Sequence, residues 1–111
     1  IILGASFLGH TVNNKEIIEY SKQITEKLGF NGIVGIQFKR DAKGKIKVLE
    51  VNPRVQGALL LTVAAGANIA ELSVKNTLGM PWKMPNIKWN TKFIRYYDEV
   101  YKNPSGKFFR I

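Results

Sequence analysis

Glu50, Asn52 and Arg54 stand two residues apart in the stretch Val48-Leu49-Glu50-Val51-Asn52-Pro53-Arg54. They are a carboxylate, an amide and a guanidinium. The stretch reads as the end of a β-strand, where side chains repeat every second residue, so Glu50 and Asn52 face the same way. Pro53 has no N–H for a further ladder bond and ends the pairing. Magnesium takes near-octahedral oxygen ligands, usually one or two carboxylates plus substrate phosphates. Glu50 offers the carboxylate and Asn52 an amide oxygen. Arg54 can hold a phosphate or carboxylate through two parallel N–H bonds. The chemistry these residues fit is the holding of a metal-bound phosphate.

A hairpin must position them. Ile33 to Arg40 reads as one strand, Asp41-Ala42-Lys43-Gly44 as a turn and Lys45 to Asn52 as the second strand. With a four-residue loop, Arg40 opposes Lys45, Gln37 opposes Val48 and Gly35 opposes Glu50. One face then carries Gln37, Glu50 and Asn52 among Ile33, Ile46 and Val48. The other carries Val34, Ile36, Phe38, Leu49 and Val51 and reads as a core face. Gln37 adds a third oxygen ligand. The apolar residues of the first face could seat a purine ring. Gly35 spares Glu50 a crowding side chain, as glycines do where a ligand comes close. Singly, each of these residues reads as an ordinary strand or surface position; the combination is the signal.

The surrounding chain predicts mixed elements. Ile1 to Val12 is extended, broken at Gly4 and Gly9. Asn13 caps a helix with Glu16 at the third position, Ile17, Tyr20, Ser21, Ile24 and Leu28 line one face, and Gly29 follows the end. Gly57 to Ala65 is small and apolar and predicts a buried helix. Asn68 caps a further helix, with Glu71 at the third position, that ends near Leu78-Gly79. Met80 to Asn86 reads as loop, Ile87 to Tyr97 as a strand, and Asp98 to Ile111 as a hairpin turning at Asn103-Pro104-Ser105-Gly106.

Composition narrows the function classes. The chain has 111 residues, enough for one domain, with 45% hydrophobic residues, which argues against disorder. It has no cysteine and a single histidine, His10, which excludes disulfides, thiolate sites and multi-histidine metal sites. No secretory leader is visible and the longest apolar stretch, Ala58 to Ala65 around Thr62, is too short to span a bilayer. A cytoplasmic protein is expected, with no membrane partner. The net charge of +9 attracts polyanions, but the basic residues are scattered along the chain. The chain begins with Ile1 in place of Met, and a fragment of a longer protein is expected.

Gly35-Ile36-Gln37-Phe38, the Asp41 to Gly44 turn, Glu50-Val51-Asn52-Pro53-Arg54 and the small-residue segment with Ala64-Ala65-Gly66 together resemble the C-terminal part of the ATP-grasp fold, in the branch of the carbamoyl-phosphate synthase large chain. The likeness runs from about residue 13 to residue 97, and Glu-x-Asn-Pro-Arg after a Gln-bearing strand is its most specific part. The resemblance implies an α+β fold, a mostly antiparallel sheet with helices packed on one face, and a single domain, 1–111, that is the C-terminal lobe of an ATP-grasp domain. It implies a ligase that clamps ATP and Mg²⁺, two ions with Mn²⁺ able to substitute, and activates a small carboxylate or bicarbonate as an acyl phosphate for attack by an amine.

By the same resemblance Gln37, Glu50 and Asn52 are the metal ligands, with Glu50 bridging the ions. Gln37, Leu49 and Glu50 hold the nucleotide, and Arg54 is the catalytic residue that steadies the transferring phosphoryl group. Leu49 contacts adenine in many members, although strict alternation puts it on the face opposite Glu50. Many members carry Asp or Glu where this chain has Gln37; the synthase branch can carry Gln. The family's phosphate-binding lysines precede this segment, so the expected partner is an N-terminal part of the same enzyme, and the chain alone is expected to be inactive. Two alternatives compete: a basic nucleic-acid-binding module using Trp89, Phe93, Tyr96 and Tyr97, and a non-catalytic structural lobe of a larger enzyme. The preferred place for those aromatics is a strand core, which leaves nucleic acid the minor reading.

Overall fold

A computed structural model describes residues 6–111 of the chain. The extended reading of residues 1–5, with its break at Gly4, lies outside the described residues. The elements run β1 (Leu8–His10), α1 (Lys15–Leu28), β2 (Gly35–Arg40), β3 (Ile46–Asn52), α2 (Leu59–Ala64), α3 (Ile69–Thr77), β4 (Lys92–Ile94), β5 (Tyr101–Lys102) and β6 (Phe108–Phe109). The class is α+β and every strand pair is antiparallel. Among the described residues the strands form three separate two-stranded ladders, β1-β4, β2-β3 and β5-β6, where one sheet was expected.

The β2-β3 hairpin departs from its expected register at both ends. Asp41 does not belong to the loop. Its N–H donates to the Lys45 carbonyl at 2.9 Å, and its side chain accepts from the N–H groups of Lys43 and Lys45. The loop is therefore Ala42-Lys43-Gly44, with Gly44 at φ +78°, the left-handed position that closes a three-residue hairpin loop. Arg40 consequently faces Ile46, Lys39 faces Lys47 and Phe38 faces Val48. Between Gln37 and Phe38 the register shifts by one residue, and the extra residue on β3 is Leu49. Beyond it, Gln37 faces Glu50, Ile36 faces Val51 and Gly35 faces Asn52.

The helices follow their caps. The N-cap of α1 is Asn14, one residue after the expected Asn13; its side chain accepts from the Ile17 N–H at 3.1 Å. Gly29 ends α1 at φ +66°. Glu16, in the first turn, reaches Arg40 at the end of β2 at 3.6 Å. Asn68 caps α3 as expected, accepting from the Glu71 N–H at 3.2 Å. The α2 helix is shorter and more exposed than expected, with Leu60 74% exposed.

The strand expected over Ile87 to Tyr97 contracts to Lys92–Ile94. Before it the chain turns at Asn90, which takes φ +64°, and Thr11 is bonded to Lys88, Asn90 and Thr91, which fastens the turn to the end of β1. Gly9, expected as a break, lies inside β1 opposite Phe93, and a Cβ there would come within 2.9 Å of that ring. Tyr96 and Tyr97 follow β4 and are exposed, so they do not belong to a strand core.

The tightest packing is at the junction of α2 and α3. Ala65 and Ala67 are 0% and 4% exposed, and no other described hydrophobic residue is buried. Lys88 donates its N–H to the Ala65 carbonyl at 2.8 Å, and a Cβ on Gly66 would meet the Asn86 carbonyl at 3.0 Å. The outline is open elsewhere. The surface is 9144 Å², against about 6,200 Å² for a compact monomer of this mass. The radius of gyration is 18.1 Å, against about 13 Å for a compact domain of this length.

Candidate functional site

The register places Gln37 directly across from Glu50, closer than the expected pairing of Gln37 with Val48. Directly opposed side chains have Cβ atoms about 4.5–5.5 Å apart, near enough for oxygens of both to reach one cation. Asn52 follows on the same face, across from Gly35, and Lys39 and Lys47 oppose each other on that face toward the turn. Glu50 is exposed and Asn52 half-buried. Gln37, Glu50 and Asn52 are thus brought together, as the sequence predicts.

The apolar lining expected beside them is not there. Ile46 and Val48 pair with Arg40 and Phe38, on the face of Ile36 and Val51. Ile33 lines a different cavity, of about 400 Å³, with Leu72, Trp82 and Met84. The purine-seating role predicted for Ile33, Ile46 and Val48 is lost: the shorter turn moves Ile46 and Val48 to the opposite face, and Ile33 lies before the start of β2. Leu49 moves the other way. As the bulge residue it escapes the alternation that assigned it to the core face. It is 61% exposed and lines a shallow depression of about 370 Å³ with Lys39 and Lys47. The bulge lets Leu49 and Glu50, neighbours in sequence, serve the same face.

At the end of β3 the chain makes a tight turn about Pro53: the Arg54 N–H donates to the Asn52 carbonyl at 2.8 Å. Proline's fixed φ suits this three-residue turn. Arg54 is exposed, and its guanidinium donates to the Val55 carbonyl at 3.0 Å. Among the described residues it has no carboxylate partner. Two residues on lies Gln56, which the sequence reading missed. Its side chain rests on Gly35, where any Cβ would overlap it outright. Gly35 therefore makes room for Gln56, opposite Asn52, and not for a ligand approaching Glu50. Among the described residues the Asn52 Nδ2 and Gln56 Nε2 atoms are buried without a hydrogen-bond partner, each at a cost of about 1–3 kcal/mol if left unmatched. No local signal in the sequence marks Gln56, because its place is set by Gly35 across the hairpin.

The donor set fits a hard cation. Among the described residues there is no group of three or more His, Cys, Asp or Glu side chains. Glu50 is thus a lone carboxylate flanked by two amides. That is too few charged ligands for a protein-only cage and is suited to Mg²⁺ completed by phosphate oxygens and water.

The model of the family described as ATP-grasp in the biosynthetic pathway with Ter operon matches residues 5–98. The chain belongs to this ATP-grasp family. It is also similar to the carbamoyl phosphate synthase arginine-specific large chain of Geobacillus stearothermophilus, 40% identical over 65 residues, or 58% of this chain and 6% of that protein. A carbamoyl phosphate synthase large chain of Thermoanaerobacter sp. (strain X514) is 37% identical over 68 residues, 60% of this chain and 6% of its own length. That of Clostridium beijerinckii is 29% identical over 90 residues, 80% of this chain and 8% of its own. This ATP-grasp chain thus spans less than a tenth of the length of the curated relatives it matches. No solved structure matches it significantly. Among its described residues no helix is long and apolar enough to cross a membrane.

Proposed function

We propose that this ATP-grasp chain supplies the metal-binding and phosphoryl-facing part of an ATP-dependent ligase that activates a small carboxylate or bicarbonate. The observation that carries this reading is the direct opposition of Gln37 and Glu50, with Asn52 next on the same face and Arg54 fixed by the turn at Pro53. Gln37, Glu50 and Asn52 would hold Mg²⁺, as two ions, and Mn²⁺ would substitute. When bound, the metal neutralises the charge of the nucleotide phosphates. Leu49 lies against adenine at the bulge. Arg54 binds the equatorial oxygens of the transferring phosphoryl group. In the reaction a carboxylate oxygen attacks the γ-phosphorus of ATP and ADP leaves. An amine then attacks the acyl carbon and phosphate leaves. Both steps need positioning and charge neutralisation more than a protein nucleophile.

The nucleotide's remaining contacts come from an N-terminal part of the same enzyme. The similarity to carbamoyl phosphate synthase large chains supports bicarbonate as the first carboxylate to test. A cytoplasmic location, where ATP is abundant, goes with this reading. The test is titration of Mg-ADP into the intact protein that carries this chain, beside assay of carboxylate-dependent ADP formation. Glu50→Gln is expected to lower turnover at least a hundredfold and weaken Mg²⁺-dependent nucleotide binding; unchanged affinity and turnover would mean a structural lobe. The 111-residue chain by itself is expected to show little or no ATP turnover, and robust turnover would overturn the shared-site reading.

A further inference from the structure

We propose that Tyr96, Tyr97 and the β5-β6 hairpin form a surface that binds a single-stranded nucleic acid, with the rings stacking on bases and the lysines holding phosphates. The expected place for the aromatics after Trp89 was a strand core, which made nucleic acid the lesser reading. That objection falls, because Tyr96 and Tyr97 follow β4 and are 79% and 77% exposed, and Phe108 on β6 is 64% exposed. The hairpin lies beyond residues 5–98, the span matched by the family model. It is held by its own turn. The Asn103 N–H donates to the Lys107 carbonyl at 3.0 Å, and the Asn103 side-chain oxygen accepts from the Lys107 N–H at 2.8 Å and the Ser105 hydroxyl at 2.7 Å. Tyr101 and Phe109 are cross-strand partners with ring centroids 5.6 Å apart. Lys102 and Phe108 are the next pair, with the Lys102 Nζ 5.4 Å from the ring centroid. The Arg110–Asp98 ion pair, at 3.3 Å, ties the end of the hairpin to the residue after Tyr97.

Charge decides the kind of partner. Residues 92–111 carry five basic residues, Lys92, Arg95, Lys102, Lys107 and Arg110, against Asp98 and Glu99. Both acids are engaged within the segment: Asp98 pairs with Arg110, and Glu99 accepts from the Tyr101 hydroxyl. Lys92, Lys102 and Lys107 have no carboxylate partner among the described residues. The centres of protein–protein interfaces are depleted in lysine, so an apolar protein partner fits poorly. Rings interleaved with lysines match the alternation of bases and phosphates along a single strand. Lys102 over Phe108 keeps a phosphate-binding cation beside a stacking ring. Successive cross-strand pairs face opposite sides of a hairpin, so Phe109 and Phe108 do not share a face. A flexible strand can use both sides, whereas a flat bilayer meets one. The closed turn fixes the rings before binding, which lowers the ordering cost. This surface is independent of the ligase reading.

The experiment is fluorescence anisotropy of labelled oligo-U and oligo-dT, each about 12 nucleotides long, a usual site size. They are titrated with the intact protein that carries this chain over a series of salt concentrations. Inorganic polyphosphate and phosphatidylserine vesicles are the competing probes. The oligonucleotides are expected to bind with a log–log salt slope of about −2, as for three phosphate contacts at about −0.7 each. Phe108→Ala is expected to weaken oligonucleotide binding about tenfold, the loss of one stacked base, and to leave polyphosphate binding unchanged. Phe108→Trp should restore it. Lys107→Gln should weaken both polyanions and reduce the slope by about 0.7. An unchanged melting curve confirms that a variant folds. Tighter binding of oligo-U assigns the partner to RNA, and tighter binding of oligo-dT to DNA. Oligonucleotide binding that Phe108→Ala leaves unchanged overturns the proposal, since charge alone would then explain it. Displacement of the oligonucleotide by Mg-ADP overturns it too, because the strand would then occupy the nucleotide site. Binding to vesicles without binding to either oligonucleotide, or binding to no probe at all, also overturns it.

Discussion

At the scale of single residues, the site depends on who occupies the space over β2. Gly35 is a clearance for Gln56, and its loss should be felt through that side chain. Gly35→Ala is expected to cost about 1–3 kcal/mol of stability, the range for inserting a methyl group into occupied space, measured by denaturant unfolding. Leu49 makes the opposite kind of contribution. It is an exposed apolar side chain beside two lysines, with surface to bury against a flat ring. Leu49→Ala is expected to raise the dissociation constant for Mg-ADP about three- to tenfold, from the loss of roughly 1 kcal/mol of apolar burial. Affinity for inorganic triphosphate, which has no base, should not change. Equal losses for both ligands would remove Leu49 from the adenine contact.

At the scale of elements, the bulge has an unusual arithmetic. Up to Phe38 and Val48 the hairpin keeps the register set by the turn; from Gln37 and Glu50 it keeps a register one residue later. Deleting Leu49 merges the two registers without moving Glu50 from Gln37 or Asn52 from Gly35. The deletion is therefore expected to keep Mg²⁺ binding and lose base recognition, which nuclear Overhauser contacts across the strands and paired Mg²⁺ and Mg-ADP titrations would check. The α3 helix offers a pH test. Glu71 is hydrogen-bonded to Lys75, at 2.6 Å, and that bond and the lysine's charge hold its carboxyl below the ordinary carboxylate value of 4.5. A lowered folded pKa means the contribution to stability is present above pH 4.5 and is lost as pH falls through the lowered value. Lys75→Met should return the Glu71 titration, followed by carboxyl NMR shifts, toward 4.5 and remove that acid sensitivity from the helix.

How much of this was legible follows the range of the interactions. Caps are local, so Asn68 and Gly29 are read directly, and the cap of α1 falls on Asn14 beside the expected Asn13 because either amide can cap. The shared face of Gln37, Glu50 and Asn52 was legible because a period of two survives a register error of two residues. The bulge was not legible, since nothing local distinguishes Leu49 from a regular strand residue. Gln56 was not either, because its place is defined by a glycine 21 positions earlier.

At the scale of the whole molecule, the chain is spread thin. Its surface and its radius of gyration both exceed those of a compact domain, and only Ala65 and Ala67 are buried among the described hydrophobic residues. The β5-β6 hairpin pairs with itself, and the Arg110–Asp98 ion pair closes it at 3.3 Å. It lies beyond the residues matched by the family model. Removing residues 99–111 from the intact protein is expected to leave Mg-ADP affinity within about twofold and to shift the melting temperature by no more than a few degrees, as surface changes do. A large loss would show that the hairpin closes the site. For the molecule over time, the extra residue at Leu49 works as an expansion joint. The stretch toward the turn takes its phase from Asp41 and Gly44, and the stretch toward Pro53 takes its own from the pairing of Gln37 with Glu50. A residue gained or lost at the tip is absorbed at the joint, so the outer hairpin is free to vary in length across descendants while the carboxylate keeps its station.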